Sequence, residues 1–356
     1  MTRKTLLITG GAGFVGSTLA IFFKTNYPTY SVIALDNLRR RGSELNLPRL
    51  RDAGVTFVHG DVRNSEDLTS LPRIDTIIEA SADASVLAGV GGDPDYVVNT
   101  NLLGTANCLR LARKDNADFI FLSTSRVYPI AKLDKILFDE SPRRFDIASG
   151  QSVAGVSERG ISEDFPLAGS RSFYGATKLC SEILIEEYRA FYGIRTVVNR
   201  CGLIAGPWQM GKVDQGVVAL WMARHVFGGS LRYVGFGGEG KQIRDVLHVD
   251  DLCRLVDHQL NDLEAVNGQT YNVGGGAEFS VSLRELTDLC ESITGKKIEI
   301  GSDTAERPAD IRIYVTDNSK VTAATGWSPK IGVEQTLTEI YHWLMANEGS
   351  VAPVLQ

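Results

Sequence analysis

Thr9-Gly10-Gly11-Ala12-Gly13-Phe14-Val15-Gly16 is the stretch that decides the fold. It follows directly on an apolar, β-branched run, Thr5 to Thr9, and opens an apolar segment of helical period. Strand, glycines and helix in that order place the amides of a helix N-terminus where they face an anionic group such as a pyrophosphate. Comparable runs recur at Ser31 to Leu35, Val55 to His59, Asp75 to Ile78, Phe119 to Ser123 and Thr196 to Arg200, with helical segments between several of them. Strands that are apolar on both faces and alternate with helices form a parallel sheet covered on both sides. The expected fold class is therefore α/β, a doubly wound parallel sheet of the Rossmann type with a smaller C-terminal lobe.

After Arg200 the pattern loosens into glycine-rich and polar stretches (Gly228-Gly229, Gly237-Gly238, Gly274-Gly275-Gly276), with helical segments near Gln215 to Val226 and Leu283 to Thr294. Residues 1–203 are expected to form the dinucleotide-binding domain, which also receives 236–272. Residues 204–235 and 273–356 are expected to form the substrate lobe. The chain has no internal repeat and no low-complexity tract, and its last residues, Glu348 to Gln356, have little to bury and are expected to fray.

Composition bounds the ligand. Hydrophobic residues make up 43% and charged residues 22% of the 356 positions, enough apolar material for a buried core. A net charge of -6 opposes general affinity for nucleic acid or an anionic membrane, so a phosphate-bearing ligand is held by a few local cations and amides. Cys108, Cys180, Cys201, Cys253 and Cys290 are odd in number and scattered singly, which disfavours a disulfide framework and a zinc site; no metal is expected. The strand starting at Thr5 leaves no room for a leader, and no apolar run reaches membrane-spanning length, so a cytoplasmic location is expected.

Gly10, Gly13 and Gly16, with the amides of Phe14 and Val15, form the expected pyrophosphate turn. Asp36 ends the second strand, twenty residues after Gly16, the spacing of a carboxylate that accepts from adenosine ribose hydroxyls. Such an acid repels a 2′-phosphate and favours NAD over NADP, although Arg39, Arg40 and Arg41 leave mixed use open. Asn37 joins Asp36 in this set. Asp61 and Val62 are expected beside the adenine and Ala80 along the cofactor, with a helix cap as the alternative for Asp61.

Tyr174-Gly-Ala-Thr-Lys178 sets a phenol and an ammonium one turn apart on a helix face, between the strand ending at Ser123 and that ending at Arg200. A neighbouring cation stabilises phenolate, so Tyr174 is the expected proton acceptor, and Thr124 can hydrogen-bond the same substrate hydroxyl. Lys178 can also hold the nicotinamide ribose. Asn101 either serves the proton path or stabilises its own helix.

These residues, with Asp61-Val62, Arg244-Asp245 and Arg307, resemble the extended short-chain dehydrogenases of the nucleotide-sugar epimerase/dehydratase group over nearly the whole chain. The resemblance implies bound NAD, a nucleotide-sugar substrate and transient oxidation of a sugar carbon. It also implies a homodimer or homotetramer paired through the helices around Asn101 and Tyr174. Arg244 and Arg307 are the expected diphosphate ligands and Asp310 the nucleoside ribose ligand, each with a surface ion pair as the alternative.

Two features narrow the reaction. Dehydratases of the group carry Asp-Glu after the threonine, whereas Ser125 and Arg126 stand here, which points to an epimerase. Asp214-Gln215-Gly216, the run Gly240 to His248, Trp327-Ser328-Pro329-Lys330 and the 46 positions from Tyr128 to Tyr174 resemble the epimerases acting at C2 of a CDP-hexose. The same triad serves 4-epimerases on UDP-hexoses and epimerases on GDP-sugars, so the carbon and base stay open. An NAD-binding regulatory or scaffold protein is the non-enzymatic alternative. Glu79 stands where the group commonly has His, Pro129 where it has Gly, and Leu203 and Ala205 where it has Asn and Tyr.

Overall fold

The computed structural model describes residues 4–211 and 215–355; Asp214 lies outside the described residues. The chain divides into two compact units, one of Met1–Val127, Phe173–Arg200 and Cys253–Tyr271, the other of Tyr128–Ser172, Cys201–Leu252 and Asn272–Gln356. The segment 128–172, read from sequence as part of 1–203, thus falls to the second unit, as does 236–252.

The first unit is built on β1 (Thr5–Thr9), β2 (Ser31–Asp36), β3 (Thr56–His59), β4 (Thr76–Glu79), β5 (Asp118–Thr124), β6 (Thr196–Cys201) and β7 (Gln269–Val273). They form a seven-stranded sheet in the order β7-β6-β5-β4-β1-β2-β3. The pairs β1·β2, β2·β3, β1·β4 and β4·β5 are parallel. Leu7 sits between Ile33 and Ile77 in register, and Leu6, Leu7 and Ile8 are completely buried, as expected of a strand covered on both faces. Strand order reverses at β1 and β4, the switch point outside whose carboxyl ends open α/β sheets bind ligands.

Three helices position the site. α1 (Phe14–Asn26) buries Leu19, Ala20 and Phe23, and Lys24 in its last turn donates to the carbonyls of Pro28 and Tyr30 at 2.8 and 2.9 Å. α2 (Gly104–Asp115) is preceded by a π-helical turn, Asn99–Leu103, and stops where Asn116 takes a left-handed φ of 55°. α3 (Phe173–Tyr192) shares a core with Leu7, Ile77, Cys108, Leu109, Phe119, Phe121 and Val198 through Ile185. Each such aliphatic or aromatic side chain contributes about 1.5–3 kcal/mol of burial.

In the second unit Leu203–Ala205, Ile243–His248, Ser280–Ser282 and Ile313–Tyr314 form a four-stranded sheet. The segment 128–172 is integral to this unit. Its hairpin Phe138–Glu140/Phe145–Ile147 brings Phe145 into a core with Ile243, Ile313 and Val315. The Arg312 guanidinium lies 4.5, 5.7 and 5.0 Å from the rings of Phe138, Phe145 and Phe236. Arg144 reaches Ser280 Oγ at 2.7 Å and Glu285 at 3.3 Å. The helix Val217–Phe227 falls close to its expected span, and Leu283–Thr294 matches it, opened by a Ser282/Glu285 capping box. The expectation of a frayed C-terminus is corrected: Glu348–Leu355 is a helix in which Val351 and Leu355 are buried. Among the described residues no helix is long and apolar enough to cross a membrane.

Candidate active site

The glycines of the first turn have separate jobs. Gly10 has φ 64°, and a Cβ there would lie 2.9 Å from the Ala80 carbonyl. At Gly16 a Cβ would fall 2.1 Å from the Gly10 carbonyl, so both positions are closed by packing. At Gly13 a Cβ would meet only Gly10 O, at 3.1 Å, and otherwise open space. Gly13 is also the N-cap of α1, which has no side-chain cap and no acid in its first turn. The first-turn amides of Phe14 and Val15 and the positive end of the helix dipole therefore face an open cradle, which fits a diphosphate.

Asp36, at the end of β2, accepts from the amides of Leu38 at 2.8 Å and Ala12 at 3.2 Å, tying the glycine turn to its neighbouring strand. Burial pushes its carboxyl up against the pull of these amides. Asn37 donates to Asp61 at 2.8 Å. Despite burial, which raises it, hydrogen bonds from Arg63 and Asn37 hold Asp61 at about 2, a fixed charge. Asp61 is not the helix cap; Asn64 caps Ser65–Thr69 instead. Val62 is buried, and Gly104 is kept small by it, a Cβ there meeting Val62 Cγ2 at 2.7 Å. Ala80 continues β4 with its N–H on Thr9 O at 3.3 Å. Arg39 is stacked 3.8 Å from the centre of the Tyr96 ring, with Arg63 also over that ring at 4.8 Å.

Thr124 is the last residue of β5; it is buried, and its Oγ1 accepts from the Arg126 amide at 3.2 Å. Tyr174 lies half-buried in the first turn of α3, and Lys178, one turn on, is 1% exposed with Nζ 4.2 Å from the centre of the Phe121 ring. Gly175 explains how α3 comes so close to the turn after β5: a Cβ there would stand 1.9 Å from the Arg126 carbonyl. The helix carrying phenol and ammonium thus packs directly on the strand end carrying the threonine.

Asn101 lies in the π turn, whose widened geometry releases backbone carbonyls from their usual helical partners. Its Oδ1 accepts from Asp83 N at 2.8 Å, and its Nδ2 donates to Asp83 O and to Thr177 Oγ1, both at 3.1 Å. Its carbonyl accepts from Thr105 Oγ1 at 2.7 Å and Ser181 Oγ at 3.1 Å. Asn101 therefore joins the loop after β4, α2 and the Tyr174–Lys178 face of α3.

Sequence reading missed two buried groups here. Glu182, one turn beyond Lys178, is held bidentately by Arg200 of β6 with Nη2 at 2.7 Å, and Ser123 of β5 donates to it; all three are buried. Glu79, which stands where the group commonly has His, is the second. It ends β4 completely buried, and Thr105 Oγ1 lies 2.7 Å from its Oε1. Burial pushes its carboxyl up to about 7, against the pull of the Lys178 charge and the Thr105 and Ser81 hydroxyls. The i+4 spacing of Asn101 and Thr105 was the available signal, but nothing in it pointed across to β4.

In the second unit Arg244 donates to Asp310 at 3.1 Å and to the carbonyls of Ile311 and Ile243 at 2.6 and 2.7 Å. The cation expected on a diphosphate and the acid expected on a ribose thus form one ion pair. Arg307 is half-buried in the same loop, its carbonyl accepting from Asp310 N at 3.2 Å, and Ala309 between them takes a left-handed φ of 62°. Asp245, completely buried, accepts from Gly276 N at 3.0 Å and serves the fold of this unit.

Comparison with known proteins follows this arrangement. A CDP-paratose 2-epimerase from Salmonella typhi is 31% identical over 346 residues, covering 95% of this chain and 98% of that protein. A dTDP-glucose 4,6-dehydratase from Salmonella typhimurium is 26% identical, covering 96% and 93%. The solved structure of a UDP-glucose 4-epimerase with UDP-glucose, from Thermotoga maritima, superposes with a TM-score of 0.77 at 27% identity, covering 97% of this chain and 99% of that one. With a family profile matching residues 6–274, from β1 through β7, the chain belongs to the NAD dependent epimerase/dehydratase family and is one of its enzymes.

Proposed function

We propose that this enzyme epimerises a nucleoside-diphosphate hexose by removing and returning hydride at one sugar carbon, and that the carbon is C2 of a CDP-hexose of the paratose/tyvelose kind. The observation that carries the epimerase reading is the turn after Thr124. The dehydratases' Asp-Glu is replaced by Ser125 and Arg126, and the carboxyl of Glu79 is completely buried. Elimination of water needs an acid and a base beyond the triad; epimerisation needs one proton acceptor that later gives the proton back. The relative that acts on CDP-paratose supports the carbon and the base.

Bound at the Gly13 cradle and Asp36, NAD supplies the hydride acceptor and donor. The chain's residues do the rest. Thr124 orients the sugar hydroxyl. Tyr174, its phenolate favoured by Lys178, takes the hydroxyl proton as the carbon–hydrogen bond breaks and the carbonyl forms. After the keto-sugar presents its other face, Tyr174 returns the proton to the oxygen as the carbon–hydrogen bond re-forms with inverted configuration. Arg244, Arg307 and Asp310 are proposed to hold the nucleoside diphosphate.

The likeness to the Thermotoga maritima enzyme favours one second reading, 4-epimerisation of a UDP-hexose by the same steps. Proton NMR of the protein with CDP-, UDP- and GDP-hexoses in heavy water separates the two. Inversion at C2 without deuterium uptake supports the proposal; inversion at C4 replaces the substrate, and loss of water overturns the epimerase reading. The five free cysteines, four of them buried, suit a reducing cytoplasm, and the exposed Leu103, Phe173, Ile183 and Phe191 on the π turn and α3 suit a homo-oligomer.

A further inference from the structure

Glu79 is a buried carboxyl for which the steps above have no use. The Ser81 hydroxyl pulls on the carboxyl, yet no hydrogen bond of ordinary geometry reaches its Oε2 among the described residues, an expensive arrangement for a carboxylate. A proton count at its other oxygen is more telling. Thr105 Oγ1 lies 2.7 Å from Glu79 Oε1 and 2.7 Å from the Asn101 carbonyl, yet a hydroxyl has one proton to give. Both contacts close as hydrogen bonds only when Glu79 is protonated and donates to Thr105, which then donates to Asn101.

The charge that opposes this protonation is Lys178. Glu79 and Phe121 are register partners on β4 and β5, and the Lys178 ammonium rests on that Phe121 ring, itself almost wholly buried. The titratable groups coupled to Glu79 are Lys178 from α3 and Cys108 from α2. Burial drives the Cys108 thiol far up, so it stays neutral and only Lys178 carries charge. In a dry interior the two charges act on each other with little screening.

We propose that Glu79 is a positioning residue for the Tyr174–Lys178 pair, its buried carboxyl setting how much of the Lys178 charge is left to stabilise the Tyr174 phenolate. When Glu79 is protonated, the full ammonium field acts on Tyr174. Once Glu79 ionises, its charge offsets that field and Tyr174 holds its proton more tightly. The two acids therefore ionise against each other through one ammonium. The inference rests on the acid–base role given to Tyr174 above, but not on the identity of the sugar.

Glu79→Gln tests it, because the amide keeps the volume and can still donate to Thr105 while losing the charge. With NAD-loaded protein, the ionisation of Tyr174 is read from near-ultraviolet phenolate absorbance, as the difference between each form and its Tyr174→Phe counterpart. The midpoint is expected to fall by about one pH unit in Glu79→Gln, the scale of one charge removed at intramolecular range. The acid limb of the kcat profile should move by the same amount. Glu79→Leu, which removes the charge and suits a buried site, should lower the midpoint in the same way, and it carries the test if Glu79→Gln does not fold. A midpoint that stays or rises in the variants that fold overturns the proposal. The absorbance titration needs no substrate: a shifted midpoint in a protein that turns over no nucleotide sugar refutes the proposed function and leaves this inference standing. Normal turnover with an unmoved midpoint does the reverse.

Discussion

The buried carboxyl of Glu79 makes a prediction about stability that is independent of the reaction. Its ordinary value is 4.5, and in the folded protein it sits at about 7, with burial as the main cause. A raised acid binds its proton more tightly in the native than in the unfolded chain, so between these two values the native state carries the extra proton. Stability contributed by this group is therefore full below 4.5, falls as pH rises through the window, and is constant above about 7. At about 1.36 kcal/mol per pH unit, this difference lowers wild-type stability by about 2–3 kcal/mol between pH 5 and pH 8. Glu79→Gln lacks this dependence, so the variant should gain about 2–3 kcal/mol relative to wild type over the same interval. The assay is urea unfolding at both pH values followed by far-ultraviolet circular dichroism. A difference between variant and wild type that is the same at both pH values would refute the reasoning.

Three further outcomes are expected. Tyr174→Phe keeps its NAD content, measured after denaturing the purified protein, and lowers turnover by roughly 10²–10⁴; unchanged turnover removes Tyr174 from the proton path. Glu182→Ala leaves Arg200 buried without its carboxylate and should cost about 3–5 kcal/mol in urea unfolding, whereas a loss under about 1 kcal/mol would show that α3 is not anchored by this pair. Ala309→Gly relieves a left-handed φ of 62° and should stabilise the second unit by about 0.5–1 kcal/mol by tryptophan fluorescence, with destabilisation arguing against strain at that turn.

The parallel sheet could be read from the chain because the inner strands β1, β4 and β5 carry unbroken apolar runs. β1 through β6 accordingly start and end within a residue or two of their expected places. The glycine turn was equally legible, since backbone close approach admits no other residue at Gly10 or Gly16. Local spacing also exposed the Tyr174–Lys178 pair, one turn apart on a helix. It did not expose the C-terminal helix, whose few buried side chains, Val351 and Leu355, make a weak periodic signal that only packing can justify.

What tertiary structure alone decided is which distant polar groups meet. Glu79, Thr105 and Lys178 come from a strand and two helices, Ser123, Glu182 and Arg200 from two strands and a helix, and Arg244 finds Asp310 across 66 positions of chain. Hydrophobic period reports which face of an element turns inward. It carries no information about which element lies opposite, and the energy of a buried charge depends wholly on what lies opposite. Sequence therefore determined the sheet, the glycine turn and the Tyr174–Lys178 pair, while the buried groups that surround that pair were decided by the fold.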